Sequence, residues 1–278
     1  MLLVFSAHKV AKILSGVVAS LVMASVLAQV GQSMIPADTH RGLSEALNKF
    51  VLDSELNIPT WYSSGALLVS AVLLAIIASA KRRDGSPYFM HWAAMTAIFV
   101  LMSIDELAGI HEMLIVPIRR RLGGDGFFYY GWVLPGLVFV VGVGLSYLRF
   151  LFCHLEATHR WRFIAAGTIF VAGALGMEMA EGPLDRLYGD ESVIAKAAAT
   201  TEESLEMVGI VVFIYSLMSY IELHVGTIQL RIIEGSSSGI IRGASGRRDS
   251  YMNKGEGNSG CEIGSEFVED YAESAGVL

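Results

Sequence analysis

Charge is scarce in this chain. Asp, Glu, Lys and Arg make up 17% of the 278 residues, whereas soluble domains usually carry about a quarter. Cysteine is scarcer still, and two residues in the whole chain exclude a disulfide scaffold. The 20 Lys and Arg are outnumbered by 27 Asp and Glu, so the chain lacks the positive footprint of a nucleic-acid-binding protein. We therefore expect no nucleic acid among its partners.

Apolar residues are abundant and make up 53% of the chain. A helix needs about 20 mostly apolar residues to cross a bilayer, and each charge at the bilayer centre costs about 2.5–3.5 kcal/mol. Long runs with few charges therefore predict an all-α fold, a polytopic integral membrane helix bundle of about six transmembrane helices within residues 1–225. The predicted spans are 13–34, 61–80, 88–116, 131–152, 161–181 and 201–223.

The segment 226–278 differs in composition from the rest of the chain. It is rich in Gly, Ser and charged residues and has no apolar period, which predicts a disordered C-terminal tail. Lys and Arg in the short loops lean slightly toward cytoplasmic N- and C-termini. We expect an integral protein of the cell membrane, surrounded by the lipid bilayer. The first span also resembles a signal peptide, but its length favours an uncleaved anchor.

Acidic residues gather on three of the predicted spans. Because spans three and five run in one direction and span six returns, the acids of all three meet at one end of the bundle. Carboxylates within a membrane are energetically expensive and usually functional. The residues concerned are Asp105, Glu106, His111 and Glu112 on span three, Glu178 and Glu181 on span five, and Glu202, Glu203 and Glu206 on span six.

This acidic constellation predicts a metal site. No Lys or Arg lies within the three segments that carry these acids, 105–112, 178–181 and 202–206. The carboxylates must therefore be protonated, hydrated or bridged by a cation. Carboxylates with one imidazole suit hard or borderline divalent metal ions, with iron, manganese and zinc favoured. The predicted ligands are Asp105, His111, Glu112, Glu178, Glu181, Glu203 and Glu206.

Individual roles follow from helical spacing. Asp105 and Glu112 are seven residues apart, which places them on one stripe if the helix continues to 116. Asp105 and His111 are the candidate catalytic residues, with His111 as a metal ligand or proton shuttle. Glu106 is expected to pair with an arginine. Glu202 is left outside the ligand set, because Thr200 or Thr201 would cap the helix and place Glu202 in its first turn.

Three functions remain open for these residues. The first is a metal-dependent membrane hydrolase or oxidoreductase acting on a lipid or another apolar substrate. The second is a proton- or cation-coupled transporter that uses the same acids, and the third is a non-catalytic membrane sensor or scaffold. The histidines at the other end of the bundle are interpreted as ordinary interfacial residues. Motifs of soluble phosphate-binding enzymes and of serine hydrolases are absent from the sequence.

Overall fold

The computed structural model of the protein describes residues 2–4, 6–34, 41–122, 128–189, 191–226 and 229–231. Helices account for nearly all of this part of the chain. In chain order they are α1 (Ala7–Met34), α2 (Arg41–Asn48), α3 (Ile58–Arg83), α4 (Phe89–Ala108), α5 (Ile115–Leu122), α6 (Val133–Cys153), α7 (Ala157–Val171), α8 (Glu178–Tyr188) and α9 (Val193–His224). A 3-10 turn (Glu112–Leu114) precedes α5, and a π-helical turn (Ala172–Met177) joins α7 to α8.

Six helices within the described residues are long and apolar enough to cross a membrane. They are α1, α3, α4, α6, the continuous helix Ala157–Tyr188 and α9. The predicted all-α bundle with six spans is confirmed. Two short strands, β1 (Leu2–Val4) and β2 (Gln229–Arg231), pair in antiparallel fashion, so the segment before α1 lies beside the segment after α9. The predicted tail, apart from Gly226 and β2, lies outside the described residues.

Helix α9 is the centre of the bundle and packs against α1, α3, α7 and α8. Its apolar side chains, among them Ile214 and Leu217, are almost completely buried. Glycine allows the close approach of α7, because a Cβ atom at Gly209 would lie 2.8 Å from the Phe170 backbone nitrogen. This contact is of the small-residue type that membrane helices use. The core is therefore built around the helix that carries Glu202, Glu203 and Glu206.

The third span ends earlier than predicted. Helix α4 stops at Ala108 rather than near residue 116, because Gly109 adopts a left-handed conformation with φ 56°. Glycine at this position satisfies the helix end without the strain that a Cβ atom would bring. The prediction that Asp105 and Glu112 share one helical stripe is therefore wrong.

The fifth and sixth spans also differ from the prediction. Helix α8 continues through Pro183 to Tyr188 instead of ending at residue 181, since membrane helices tolerate proline where neighbouring groups satisfy the freed backbone. Helix α9 begins at Val193 instead of residue 201, because the Ser192 side chain accepts a hydrogen bond from the Ala195 backbone N–H. Glu202 lies ten residues beyond this cap, about 15 Å along the axis. The interpretation of Glu202 as a first-turn residue is wrong.

Candidate carboxylate site

The acidic residues of α4, α8 and α9 meet at one end of the bundle, which we call the acidic end. Electrostatic interactions connect Glu206 with acids of α4 and α8, and Glu202 with Glu178 and Glu181 of α8. We call this group the acidic cluster: Asp105, Glu106, Glu178, Glu181, Glu202, Glu203 and Glu206. The sequence-based prediction that these three helices converge agrees with this geometry. Glu106 also lies in the cluster, although it was expected to pair with an arginine instead.

Close packing brings α9 to this position. A Cβ atom at Gly173 would lie 2.8 Å from the Glu202 carbonyl oxygen and 3.1 Å from the Glu206 backbone nitrogen. The backbone of the π-helical turn therefore touches α9 next to its acids. A larger residue at position 173 would push the two helices apart.

Glu202 is the central member of the cluster. Its carboxyl group forms side-chain hydrogen bonds with Glu178 and with Glu181. Each bond joins two carboxyl groups, so one member of the pair must supply a proton. Glu181 is 8% exposed, and its Oε1 atom has no hydrogen-bond partner in the described part of the chain. This oxygen is unusual, because buried polar atoms nearly always have partners.

His111 and Asp105 form a close pair that helical spacing did not predict. The left-handed Gly109 turns the chain back, so that the His111 backbone N–H lies 2.9 Å from Asp105 Oδ1. The His111 Nδ1 atom lies 2.6 Å from Asp105 Oδ2. Both carboxylate oxygens of Asp105 are therefore used by one residue. Burial lowers the pKa of His111, but the bond to Asp105 and the neighbouring negative charges outweigh burial and raise it.

Trp132 connects this pair to the cluster. Its ring lies 4.7 Å from the His111 ring, and its Nε1–H donates to Glu178 Oε1 at 3.0 Å. The ring fits because position 136 is glycine, where a Cβ atom would lie 2.8 Å from the indole. A contact between distant segments of this kind has no local signal in the sequence.

Further acids lie beside the acidic cluster, namely Asp53, Glu55, Glu112 and Asp185. Glu112 forms a side-chain hydrogen bond with Glu55, and burial together with this neighbour raises the pKa of Glu112 to about 7. Partial desolvation and the charges of Asp185 and Glu178 raise the pKa of Asp53 to about 6, although its side chain is at an exposed edge. The Tyr130 hydroxyl donates to Asp185 Oδ2. Asp53 and Glu55 lie just before α3, and Asp185 lies one turn after Glu181. None of these three acids was predicted from the sequence.

No Lys or Arg forms an ion pair with the acidic cluster within the described ranges. Lys196 of α9 pairs with Glu191 instead, at 2.7 Å. In the same part of the chain, no three His, Cys, Asp or Glu side chains are already arranged to hold a metal ion. The predicted metal ligands therefore come together without forming a complete coordination shell.

The opposite end of the bundle carries the histidine cluster, which comprises His91, His154, His159 and His224. The His154 ring stacks on Tyr88 at 4.5 Å, and the His224 ring stacks on Tyr220 at 4.3 Å. Burial and the nearby cations lower the pKa of His154, which favours its neutral form. These rings pack against aromatic side chains, and one buried nitrogen of each ring has no hydrogen-bond partner among the described residues. The interpretation of these histidines as interfacial residues stays a prediction.

Comparison with known proteins gives one match. Residues 14–221 match the sequence model of the family described as a domain of unknown function, DUF8692. The chain belongs to this family. The match includes most of the first and last spans, the four spans between them and the whole acidic cluster of this DUF8692 protein. Neither the curated proteins nor the solved structures contain a match to it.

Proposed function

We propose that the acidic cluster of this DUF8692 protein binds divalent metal, and that the bound metal serves a reaction on a lipid or another apolar molecule. The observation that carries the proposal is the pair of carboxyl hydrogen bonds from Glu202 to Glu178 and Glu181, in a group without a Lys or Arg ion pair among the described residues. A cation that enters such a group replaces the shared protons, because metal ligands must be deprotonated. Iron, manganese and zinc suit these oxygen and imidazole donors.

Glu181 supplies the second argument. Its buried Oε1 atom lacks a partner among the described residues, although a buried carboxylate oxygen without a partner is costly. A metal ion between α8 and α9 would satisfy this oxygen and would also neutralise Glu178 and Glu202.

His111 and Asp105 take different roles in this proposal. Asp105 uses both oxygens to hold His111, so it acts as a positioning residue rather than as a metal ligand. The contact uses Nδ1, which leaves Nε2 of the ring for a metal ion or for proton transfer. A carboxylate that orients an imidazole in this way is common behind metal-bound histidines.

The location of the cluster favours a substrate that comes from the membrane. Exposed apolar side chains lie beside it, including Ile110 and Met113 in the turn after α4. A lipid or another apolar molecule can approach along this surface without leaving the bilayer.

The middle of the bundle does not favour the transport alternative. Phe99 and Phe213 stack at 4.6 Å between the acidic cluster and the histidine cluster, and Leu217 is fully buried below them. A proton or cation would need polar groups or water through this layer. The side chains packed here are apolar.

The test is metal binding by purified protein. We expect wild-type protein to retain or rebind iron, manganese or zinc, with protons released on binding. Elemental analysis measures the metal, and calorimetry in two buffers of different ionisation enthalpy counts the protons. Glu202→Gln should weaken binding by about 10–100-fold, as loss of a group in or next to a metal shell does.

Glu156→Gln is the matched control, because Glu156 is an exposed acid at the histidine end and its replacement should leave binding unchanged. Thermal unfolding of each variant shows whether it is folded. Wild-type protein that neither contains metal nor gains thermal stability from any of the three ions would overturn the proposal. Equal weakening by Glu202→Gln and Glu156→Gln would overturn it as well.

A further inference from the structure

The segment between α4 and α6 places arginines at the rim of the acidic end. Arg119, Arg120 and Arg121 form the last turn of α5. The helix is held against the start of α6, because a Cβ atom at Gly131 would lie 2.9 Å from Ile118 and 3.0 Å from the Arg119 backbone nitrogen. The position of the three arginines is therefore set by backbone packing.

Two guanidinium groups from different helices form cation–π contacts with the Tyr129 ring. The Arg119 guanidinium lies 4.6 Å from the centre of the Tyr129 ring, and that of Arg186 on α8 lies 5.7 Å from it. A cation–π contact of this kind holds the Arg119 guanidinium while leaving its N–H donors available. Arg120 and Arg121 are exposed, and neither has an ion pair with a carboxylate in the described part of the chain. Positive charge is thus concentrated at one place.

Apolar side chains on the same segment are also exposed. Met113 is 71% exposed, and Leu114 and Val116 are each 42% exposed. The segment directly follows a membrane-spanning helix, so these side chains lie where headgroups meet acyl chains. A short segment with exposed apolar residues and adjacent arginines is typical of interfacial helices that bind anionic lipids.

We propose that Arg119, Arg120 and Arg121, with Arg119 held by the Tyr129 ring, bind the phosphate of an anionic phospholipid headgroup. Guanidinium groups bind phosphate oxygens through paired N–H donors, while Met113, Leu114 and Val116 contact the acyl chains. The exposed apolar residues favour a lipid over free phosphate as the ligand. The proposal does not require metal in the acidic cluster, and it goes beyond the proposed metal function.

The test compares lipid retention by full-length protein reconstituted with phosphatidylglycerol and phosphatidylcholine. Native mass spectrometry counts the lipids that remain bound. Wild-type protein should keep phosphatidylglycerol in preference to phosphatidylcholine, and Arg119→Gln/Arg120→Gln/Arg121→Gln should reduce that preference at least about tenfold. Tyr129→Leu, which keeps the three charges but removes the ring, should give an intermediate loss. This second variant keeps the test decisive if the triple variant does not fold.

The other basic triplet of the chain is the matched control. Lys81, Arg82 and Arg83 end α3, and their replacement by Gln removes the same charge at the other end of the bundle. Equal losses from the two triplets would show general charge attraction and overturn the proposal. Displacement of the bound lipid by millimolar inorganic phosphate would show a site for free phosphate and would overturn it too. Loss of lipid preference with intact metal binding would separate this site from the acidic cluster.

Discussion

At the histidine end, imidazole rings stack on Tyr88 and Tyr220, whereas at the acidic end carboxyl groups face other carboxyl groups. Both ends use the same helices, since α9 carries Glu202 near one end and His224 at the other. Packing against aromatic rings accounts for the faces of the imidazole rings. It leaves one buried nitrogen in each of the four histidines without a hydrogen-bond partner among the described residues. At the acidic end, carboxyl groups this close together need shared protons or a bound cation.

The largest expected effect tests the packing of the histidine end. Trp92 is 3% exposed and contacts Phe150 and Tyr220 edge-on or tilted, at 5.1 and 5.0 Å. Trp92→Ala should lower the free energy of unfolding by about 3–5 kcal/mol through loss of buried area and a new cavity. Denaturant unfolding in detergent measures the change. Trp61→Ala is the control, because Trp61 is 66% exposed, and a comparable cost there would contradict the packing argument.

The second-largest effect concerns the acidic end, where removing a carboxylate should stabilise the protein. Glu206 lies among Glu203, Glu106 and Glu178, so Glu206→Gln should raise the free energy of unfolding of metal-free protein by about 1–3 kcal/mol, because one uncompensated acid is removed. The same unfolding assay measures it. Glu156→Gln, whose exposed carboxylate lies 3.6 Å from His224 Nε2, should change stability by less than about 0.5 kcal/mol. A clear destabilisation by Glu206→Gln would mean that the carboxylate has a favourable partner.

A smaller effect separates the observed start of α9 from the one predicted from sequence. Ser192→Ala removes the cap that accepts from the Ala195 N–H and should cost about 1 kcal/mol. Thr201→Ala should cost less than about 0.5 kcal/mol, because its hydroxyl bonds only to the Ala197 carbonyl inside the helix. Thermal unfolding of both variants gives the comparison. A larger cost for Thr201→Ala than for Ser192→Ala would instead support a helix that starts near Thr201, with Glu202 in its first turn.

The smallest effect concerns pH. Because the pKa of Glu112 is raised from 4.5 to about 7, the folded protein binds the proton more tightly than the unfolded chain does. The stabilisation linked to this proton is complete below pH 4.5 and is lost as pH rises toward 7. Melting temperature measured across this range should therefore fall less in Glu112→Gln than in wild-type protein. An unchanged pH slope would show that the Glu55–Glu112 pair is not linked to folding.

Much of the architecture could be predicted from composition. Uncharged runs long enough to cross a bilayer marked all six spans, and the direction of spans three, five and six placed Glu178 and Glu206 at the same end. Helix ends were harder to predict. Gly109 could have been read as a helix stop, but the apolar residues after it continued a plausible span. Ser192 lies nine residues before the span that was predicted to begin at residue 201.

The roles of individual acids could not be predicted in the same way. Asp105 looked like a metal ligand because it lies in apolar sequence, yet His111 uses both of its oxygens. Glu202 looked like a helix-start residue, yet it joins Glu178 and Glu181. These differences follow from one turn at Gly109 and one cap at Ser192. Gly109 ends α4 and turns the chain back, and Ser192 starts α9 about two turns earlier than predicted. Hydropathy records neither change.

The sequence by itself determined that this protein lies in a lipid bilayer and at which end of the bundle its acids gather. Both depend on the distribution of charge along spans of known length. Only the tertiary structure decided which carboxyl groups touch. That choice depends on backbone approach at Gly173, on the left-handed turn at Gly109 and on the Trp132 contact with Glu178. Such contacts join residues far apart in the chain, and their geometry is set by packing between helices.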